Sequence, residues 1–196
     1  MINKTEFSKI RNFALNNSER DDIHGFIHVE RVYDFCINIG MKLNANIDIL
    51  KISAILHDIG RIEETDDGLN RNHADISAEK AYKFLSSHDF NLSTDDIDKI
   101  IHCIKAHSFS NKITPETLEA KILSDADKLD ALGAIGLYRT ISFTIMNNGG
   151  IKEVIEHLEN KILKLKDQLN LEVSNKIAEK RQKIILDFYK EIKDEI

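Results

Sequence analysis

Apolar residues recur along nearly the whole chain at i, i+3, i+4 and i+7, the spacing that keeps them on one face of an α-helix. A single proline and eight glycines leave little to punctuate strands. The pattern predicts an all-α chain with helices over 4–16, 27–43, 47–59, 73–87, 94–107, 115–128, 130–146, 151–168 and 172–193. Ser93 stands where it can cap the helix that carries Ile97, Ile100, Ile101 and Ile104. Thr114 and Pro115 read as an N-cap followed by proline at the first helical position. Gly60 reads as a left-handed residue that closes the helix ending in His57 and Asp58. The polar stretch 61–72, RIEETDDGLNRN, has no period and reads as a surface loop. The last two stripes, Ile151, Val154, Ile155, Leu158, Ile162 and Leu165, then Ile177, Ile184, Ile185 and Phe188, predict a packing hairpin over about 151–193.

With 196 residues the chain has the length of one domain, so the expectation is a single-domain helical bundle over 1–196. The formal net charge of −6 argues against a partner that is a nucleic-acid polymer, yet leaves room for a small anionic substrate held by a few local cations. Cys36 and Cys103 lie in periodic apolar segments without a Cys or His at finger spacing, which predicts reduced, buried side chains. The N-terminal MINKTEFSKIRNF has no apolar run behind a basic start, and no run in the chain reaches membrane-spanning length. A cytoplasmic protein without a membrane partner is expected, and a homo-oligomer is compatible with the chain.

Helical spacing sorts the eight histidines. His28 precedes Val32 by four and Phe35 by seven; His57 follows Ala54 by three and Leu50 by seven; His107 follows Ile104, Cys103 and Ile100 by three, four and seven. All three face the core. His88, His102 and His157 sit among polar residues and are expected at the surface. One inward histidine is ordinary core material. Asp58 beside His57 is different, because a buried carboxylate is costly unless it is paired or on a cation. Asp127 poses the same problem, with Leu123 and Ala131 four residues to either side and Ala134 seven beyond. Asp125 lies about 200° away around the helix and is expected to cap, pair or support a neighbouring element. Several inward acids and imidazoles require a cation, and mixed His and carboxylate ligands suit Mn, Fe, Co, Ni or Zn, with Mg admissible.

The order His28, His57-Asp58, Asp127 resembles the H...HD...D signature of the HD superfamily of metal-dependent phosphohydrolases. HGFIHVERV (24–32), AILHDIGR (54–61), HADISAEKA (73–81), IKAHSF (104–109) and KILSDADKLDALGAIGLYR (121–139) together resemble its small stand-alone YedJ/YpgQ-like subgroup, which usually has aspartate where this chain has Gly25. The resemblance implies an HD-type bundle with its metal site built from about 24–139. His28, His57, Asp58 and Asp127 are then the ligands of one divalent ion rather than two, and a metal-activated water is the nucleophile. Asp58 is the implied catalytic residue, orienting that water or taking its proton. His73 and His107 resemble the histidines that hold a second metal in binuclear members, or else contact the substrate phosphate.

His24, Arg31, Arg61, Lys128 and Arg139 are the candidates for substrate binding, because phosphate asks for charge-assisted donors. Asp130 is expected to orient a ligand or a cation from behind. Hydrolysis of a phosphoester or phosphoanhydride, with nucleotides as substrates, leads. A di-iron HD-domain oxygenase and a non-catalytic nucleotide or metal sensor are the alternatives.

Overall fold

The structure, a computed structural model, describes residues 2–64 and 71–196. Among them there is no strand, and ten α-helices follow one another: α1 (Lys4–Asn16), α2 (Phe26–Leu43), α3 (Ile47–Leu56), α4 (Arg61–Glu64), α5 (His73–Ser86), α6 (Thr94–His107), α7 (Leu118–Asp130), α8 (Gly133–Met146), α9 (Ile151–Asn160) and α10 (Glu172–Asp194). The chain divides into two compact units, residues 1–124 and 125–196.

In the first unit α3 is the central element. Its sequence, IDILKISAIL, is apolar all round rather than on one stripe, which marks a helix meant for burial on every side. It packs against α1, α2, α5 and α6. Leu50, Ile52, Ala54 and Leu56 are fully buried, and each large aliphatic side chain so placed contributes about 1.5–3 kcal/mol. Because α3 lies in the core, whatever follows its last turn is delivered there too, and that is His57-Asp58. The helix starts are set by side chains: Asn3 and Glu6 form a reciprocal capping box on α1, Asn72 caps α5, and Ser93, the expected cap of α6, forms a capping box with Asp96.

The second unit holds α8, α9 and α10, with α8 packed on both of the others. Polar contacts within the unit hold it together. Asp125 accepts from the Asn170 backbone N–H and side-chain amide, both at 2.8 Å, and from the Leu171 N–H at 3.0 Å. Arg181 donates to the Leu129 and Leu132 carbonyls at 2.9 and 2.8 Å, closing the end of α7 where Gly133 takes a left-handed φ of 78°. Asp130 accepts from Arg139 at 2.7 Å, and both are buried.

Several local expectations need correction. Helix α7 begins at Leu118, not Pro115: Thr117 is the residue whose hydroxyl accepts from the Ala120 N–H, so Thr114-Pro115 belongs to the approach. The segment expected as one helix over 151–168 breaks at Lys161 into two short 3₁₀ turns, 162–164 and 166–168. In the hairpin stripe Ile151 and Ile184 are exposed, whereas Val154, Leu158, Ile162, Leu165 and Ile185 are buried. Residues 61–64 of the expected loop form the short helix α4; positions 65–70 lie outside the described residues. Gly60 is not left-handed. A Cβ there would meet the Ser77 N at 2.5 Å and the His73 O at 2.8 Å, so glycine is needed for the close approach of the α3 end to α5. The Ser77 hydroxyl accepts from the Gly60 N–H at 2.9 Å, which locks that approach.

Candidate metal centre

Four elements of the first unit bring imidazoles to one carboxylate. His28 comes from the first turn of α2, His57 and Asp58 from the end of α3, His73 from the first residue of α5 and His107 from the last of α6. All five are buried. His28 Nε2 and His57 Nε2 each lie 3.6 Å from Asp58 Oδ2, while His73 Nε2 and His107 Nε2 each lie 3.5 Å from Asp58 Oδ1. Asp58 thus turns one oxygen to each histidine pair.

Hydrogen bonds behind the rings decide which nitrogens face Asp58. His57 Nδ1 lies 2.7 Å from the Ala54 carbonyl, and His107 Nδ1 lies 2.6 Å from the Ile104 carbonyl. A carbonyl can only accept, so each Nδ1 carries a proton, and in the neutral ring Nε2 keeps its lone pair. His73 is held likewise, with Nδ1 at 3.0 Å from Glu64 Oε1. The hydrogen bond to His73 brings the Glu64 carboxyl down to about 2, against the opposing effect of burial, so Glu64 is a standing acceptor. Burial lowers the His73 pKa, opposed by its bond to Glu64, which favours the neutral ring.

The consequence is a triangle of acceptors. His73 Nε2 and His107 Nε2 are 3.3 Å apart and each is 3.5 Å from Asp58 Oδ1, an oxygen with no hydrogen bond among the described residues. Contacts of 3.5 Å are too long for strong hydrogen bonds. They match a shared cation: ligand atoms about 2.1 Å from a tetrahedral ion stand about 3.4 Å apart. Two groups, His28-His57-Asp58 and Asp58-His73-His107, have donor atoms close enough to share an ion. The residues therefore fit a divalent metal, and the nitrogen and oxygen donors, with both cysteines buried elsewhere, favour Mn, Fe, Co, Ni or Zn.

Arg61 donates from Nε to Asp58 Oδ2 at 2.6 Å. Burial pushes the Asp58 carboxyl up, but Arg61 and the surrounding histidines outweigh it and hold the group well below the usual carboxylate range. Arg61, expected to bind substrate, thus spends its Nε on orienting Asp58. His24, just before the N-cap of α2, and Arg31, in its second turn, are half-buried.

The remaining candidates belong to the second unit. Leu123 is buried, Asp127 and Ala131 are half-buried and Ala134 is exposed, so the stripe drawn from Leu123 does not continue to Ala134. The reason is that α7 ends at Asp130 and Ala134 belongs to α8, beyond the break at Gly133, whose φ is 78°. Asp125 is fully buried and supports the segment before α10. Lys128 is buried, and burial lowers its ammonium pKa against the pull of Asp127 and Asp125. Arg139 is held by Asp130, so Asp130 orients a cation of the protein itself. Sequence spacing missed Glu64, which lay in a stretch without period; its position three residues after Arg61 was the available signal.

A bundle of helices that gathers histidines around a His-Asp dipeptide defines a class, and the chain belongs to the HD domain family, whose model matches residues 25–132. It is accordingly a metal-dependent phosphohydrolase. YpgQ of Bacillus subtilis (strain 168) is 29% identical over 181 residues, covering 88% of this chain and 84% of that protein. The structure of Bacillus subtilis YpgQ in complex with ADP superposes with a TM-score of 0.77 at 27% identity, covering 97% of each chain. A protein of Lactobacillus plantarum gives a TM-score of 0.80 at 25% identity, with 100% of this chain and 98% of that one covered. An HD-superfamily hydrolase of Bacillus thuringiensis gives 0.70 at 25%, with 98% and 97% covered. Among the described residues no helix is long and apolar enough to cross a membrane.

Proposed function

We propose that the chain hydrolyses a phosphoester or phosphoanhydride bond of a nucleotide, with His28, His57, Asp58 and Asp127 as the ligands of one divalent cation. The observation that carries this reading is the convergence of four Nε2 atoms on the two oxygens of Asp58. ADP in the YpgQ complex supports the nucleotide. A bound divalent cation supplies the acidity that ionises water near neutral pH and the charge that offsets phosphate oxygens. His57 and His107 keep their Nε2 lone pairs directed inward through their backbone bonds. Asp58, fixed by Arg61, orients the attacking water. His24, Arg31, Lys128 and Arg139 serve the substrate phosphates, and Asp130 steadies Arg139. Such a cytoplasmic enzyme needs neither a membrane nor a nucleic-acid partner.

One observation favours a second reading, in which a second cation would be held by Asp58, His73 and His107: Asp58 Oδ2 faces His28 and His57 while Oδ1 faces His73 and His107. Elemental analysis after loading separates one ion per chain from two. A panel of nucleotides and phosphomonoesters, assayed with Mn, Mg, Co, Ni, Fe and Zn after chelator treatment, tests the function. Metal-dependent release of phosphate or pyrophosphate from a nucleotide is expected. Oxygen consumption without phosphate release would move the chain to the oxygenase reading. Asp127→Asn is expected to lose metal; full metal content in that variant removes Asp127 from the ligand set.

A further inference from the structure

Asp58 does not stand in a helix. Helix α3 ends at Leu56, α4 begins at Arg61, and the residues between them form a turn in which the Arg61 N–H reaches the Asp58 carbonyl at 3.2 Å. Such a turn, followed by a helix of one turn, has too few local hydrogen bonds to aim a side chain. Helix α5 supplies the rest. Ser77 Oγ accepts from the Gly60 N–H at 2.9 Å, and Lys80 Nζ donates to the Ile59 carbonyl at 2.8 Å. That N–H and that carbonyl belong to one peptide unit. The Ile59–Gly60 peptide is trans and planar, with its N–H and C=O on opposite sides, so holding both fixes its plane.

The two side chains share a face of α5 with His73, at spacings of four and seven residues from it. Lys80 is half-buried and spends a second donor on Glu63 Oε1, at 2.6 Å, so it spans the turn from the end of α3 to α4. As a surface ion pair alone it would contribute little. Its bond to Ile59 is of another kind, because Ile59 directly follows Asp58 and Gly60 directly precedes Arg61. Tilting the peptide between them would move the Asp58 carboxylate against the Arg61 Nε that holds it at 2.6 Å. A metal ligand depends on such placement, and the groups that aim it matter nearly as much as the ligand.

We infer that Lys80 is a positioning residue of the metal centre: together with Ser77 it clamps the Ile59–Gly60 peptide from α5, and so aims Asp58 at the cation. The inference rests on the reading of Asp58 as a metal ligand and adds what directs it. It also gives the segment HADISAEKA (73–81) a purpose beyond His73. One face of α5 brings an imidazole to the centre and, one and two turns later, the pair that holds the turn carrying the carboxylate.

Calorimetric titration of the full chain with manganese, after chelator treatment, tests it. Lys80→Met combined with Glu63→Gln removes one charge of each sign, so net charge does not change. This variant should bind manganese about tenfold more weakly, the lower end of the loss when a group behind a metal ligand is removed. Ser77→Ala should weaken binding on the same scale. All three substitutions together should cost clearly less than the product of the separate losses, because a peptide freed from one side is already free to tilt. A side chain that only supports the fold would lower the melting temperature and leave the affinity of the folded protein unchanged. Wild-type affinity in the folded charge-balanced variant, or losses that multiply in full, overturns the inference. If that variant does not fold, Ser77→Ala decides from the other side of the peptide, and wild-type affinity there overturns it. Asp58→Asn separates the clamp from the reading beneath it. Wild-type affinity in Asp58→Asn shows that the centre itself is misread, whereas lost binding there beside wild-type affinity in the Lys80 variant rejects only the clamp.

Discussion

Each unit of the molecule buries a carboxylate completely, and the two acids are treated in opposite ways. Asp125, in residues 125–196, receives three N–H donors from Asn170 and Leu171. Asp58, in residues 1–124, receives one strong hydrogen bond, from Arg61, and otherwise meets four imidazole nitrogens at 3.5–3.6 Å. A buried charge with its donors in place is structural: it fixes one segment against another and has no capacity left for a ligand. A buried charge ringed by other acceptors is stable only when something positive completes it. The contrast distinguishes a support from a site, although burial alone treats the two acids alike.

The comparison breaks most sharply at Asp58. Asp58→Asn is expected to abolish both bound metal and hydrolysis, because it removes the charge that both histidine pairs share. Chelation of the wild type should lower its melting temperature, by an amount equivalent to about 2.7 kcal/mol when metal was present at 100 times its Kd. The same chelation should leave the melting temperature of Asp58→Asn unchanged. A chelation-sensitive melt in that variant would show that the cation does not depend on Asp58.

Asp125→Ala should behave in the reverse manner, losing about 3 kcal/mol of stability with its charged hydrogen bonds. For a chain of this length that is roughly 10 °C in melting temperature. Per folded molecule, metal content should stay at the wild-type level. A normal melt with lost metal would reverse the roles assigned to the two acids.

The smallest expected effect sharpens the comparison from behind the site. Glu64 touches no other part of the acceptor triangle than His73, whose ring it orients. Glu64→Gln keeps the shape but removes the charge, and in the two-cation reading, where His73 holds the second ion, should weaken binding of that ion by about 10- to 100-fold with little change in fold. A metal titration followed by calorimetry reads it, and unchanged affinity at every site would keep His73 out of the ligand set.

Much of this was legible in the chain. Helical spacing placed His28, His57 and His107 on inward faces, and the all-apolar run of α3 marked the helix whose end enters the core, because which residues share a helix face depends only on local separation. The same logic separated Asp125 from Asp127 and gave Asp125 a supporting role. It failed where the helix stopped: Ala134 was counted on the stripe of α7 although it lies on α8.

Tertiary structure decided the rest. The partners of Asp125 are 45 and 46 residues away, and His107 meets His73 across 34. Gly60 looked like a helix terminator, but its reason is the backbone of α5 pressed against it. The sequence by itself determined the helical class, the His-Asp pair at the end of a buried helix and most inward faces, since these follow from periodicity. Only the packing of α3 against α2, α5 and α6 decided that Asp58 would divide its two oxygens between two histidine pairs, because that arrangement depends on distances between helices, which no spacing along one helix contains.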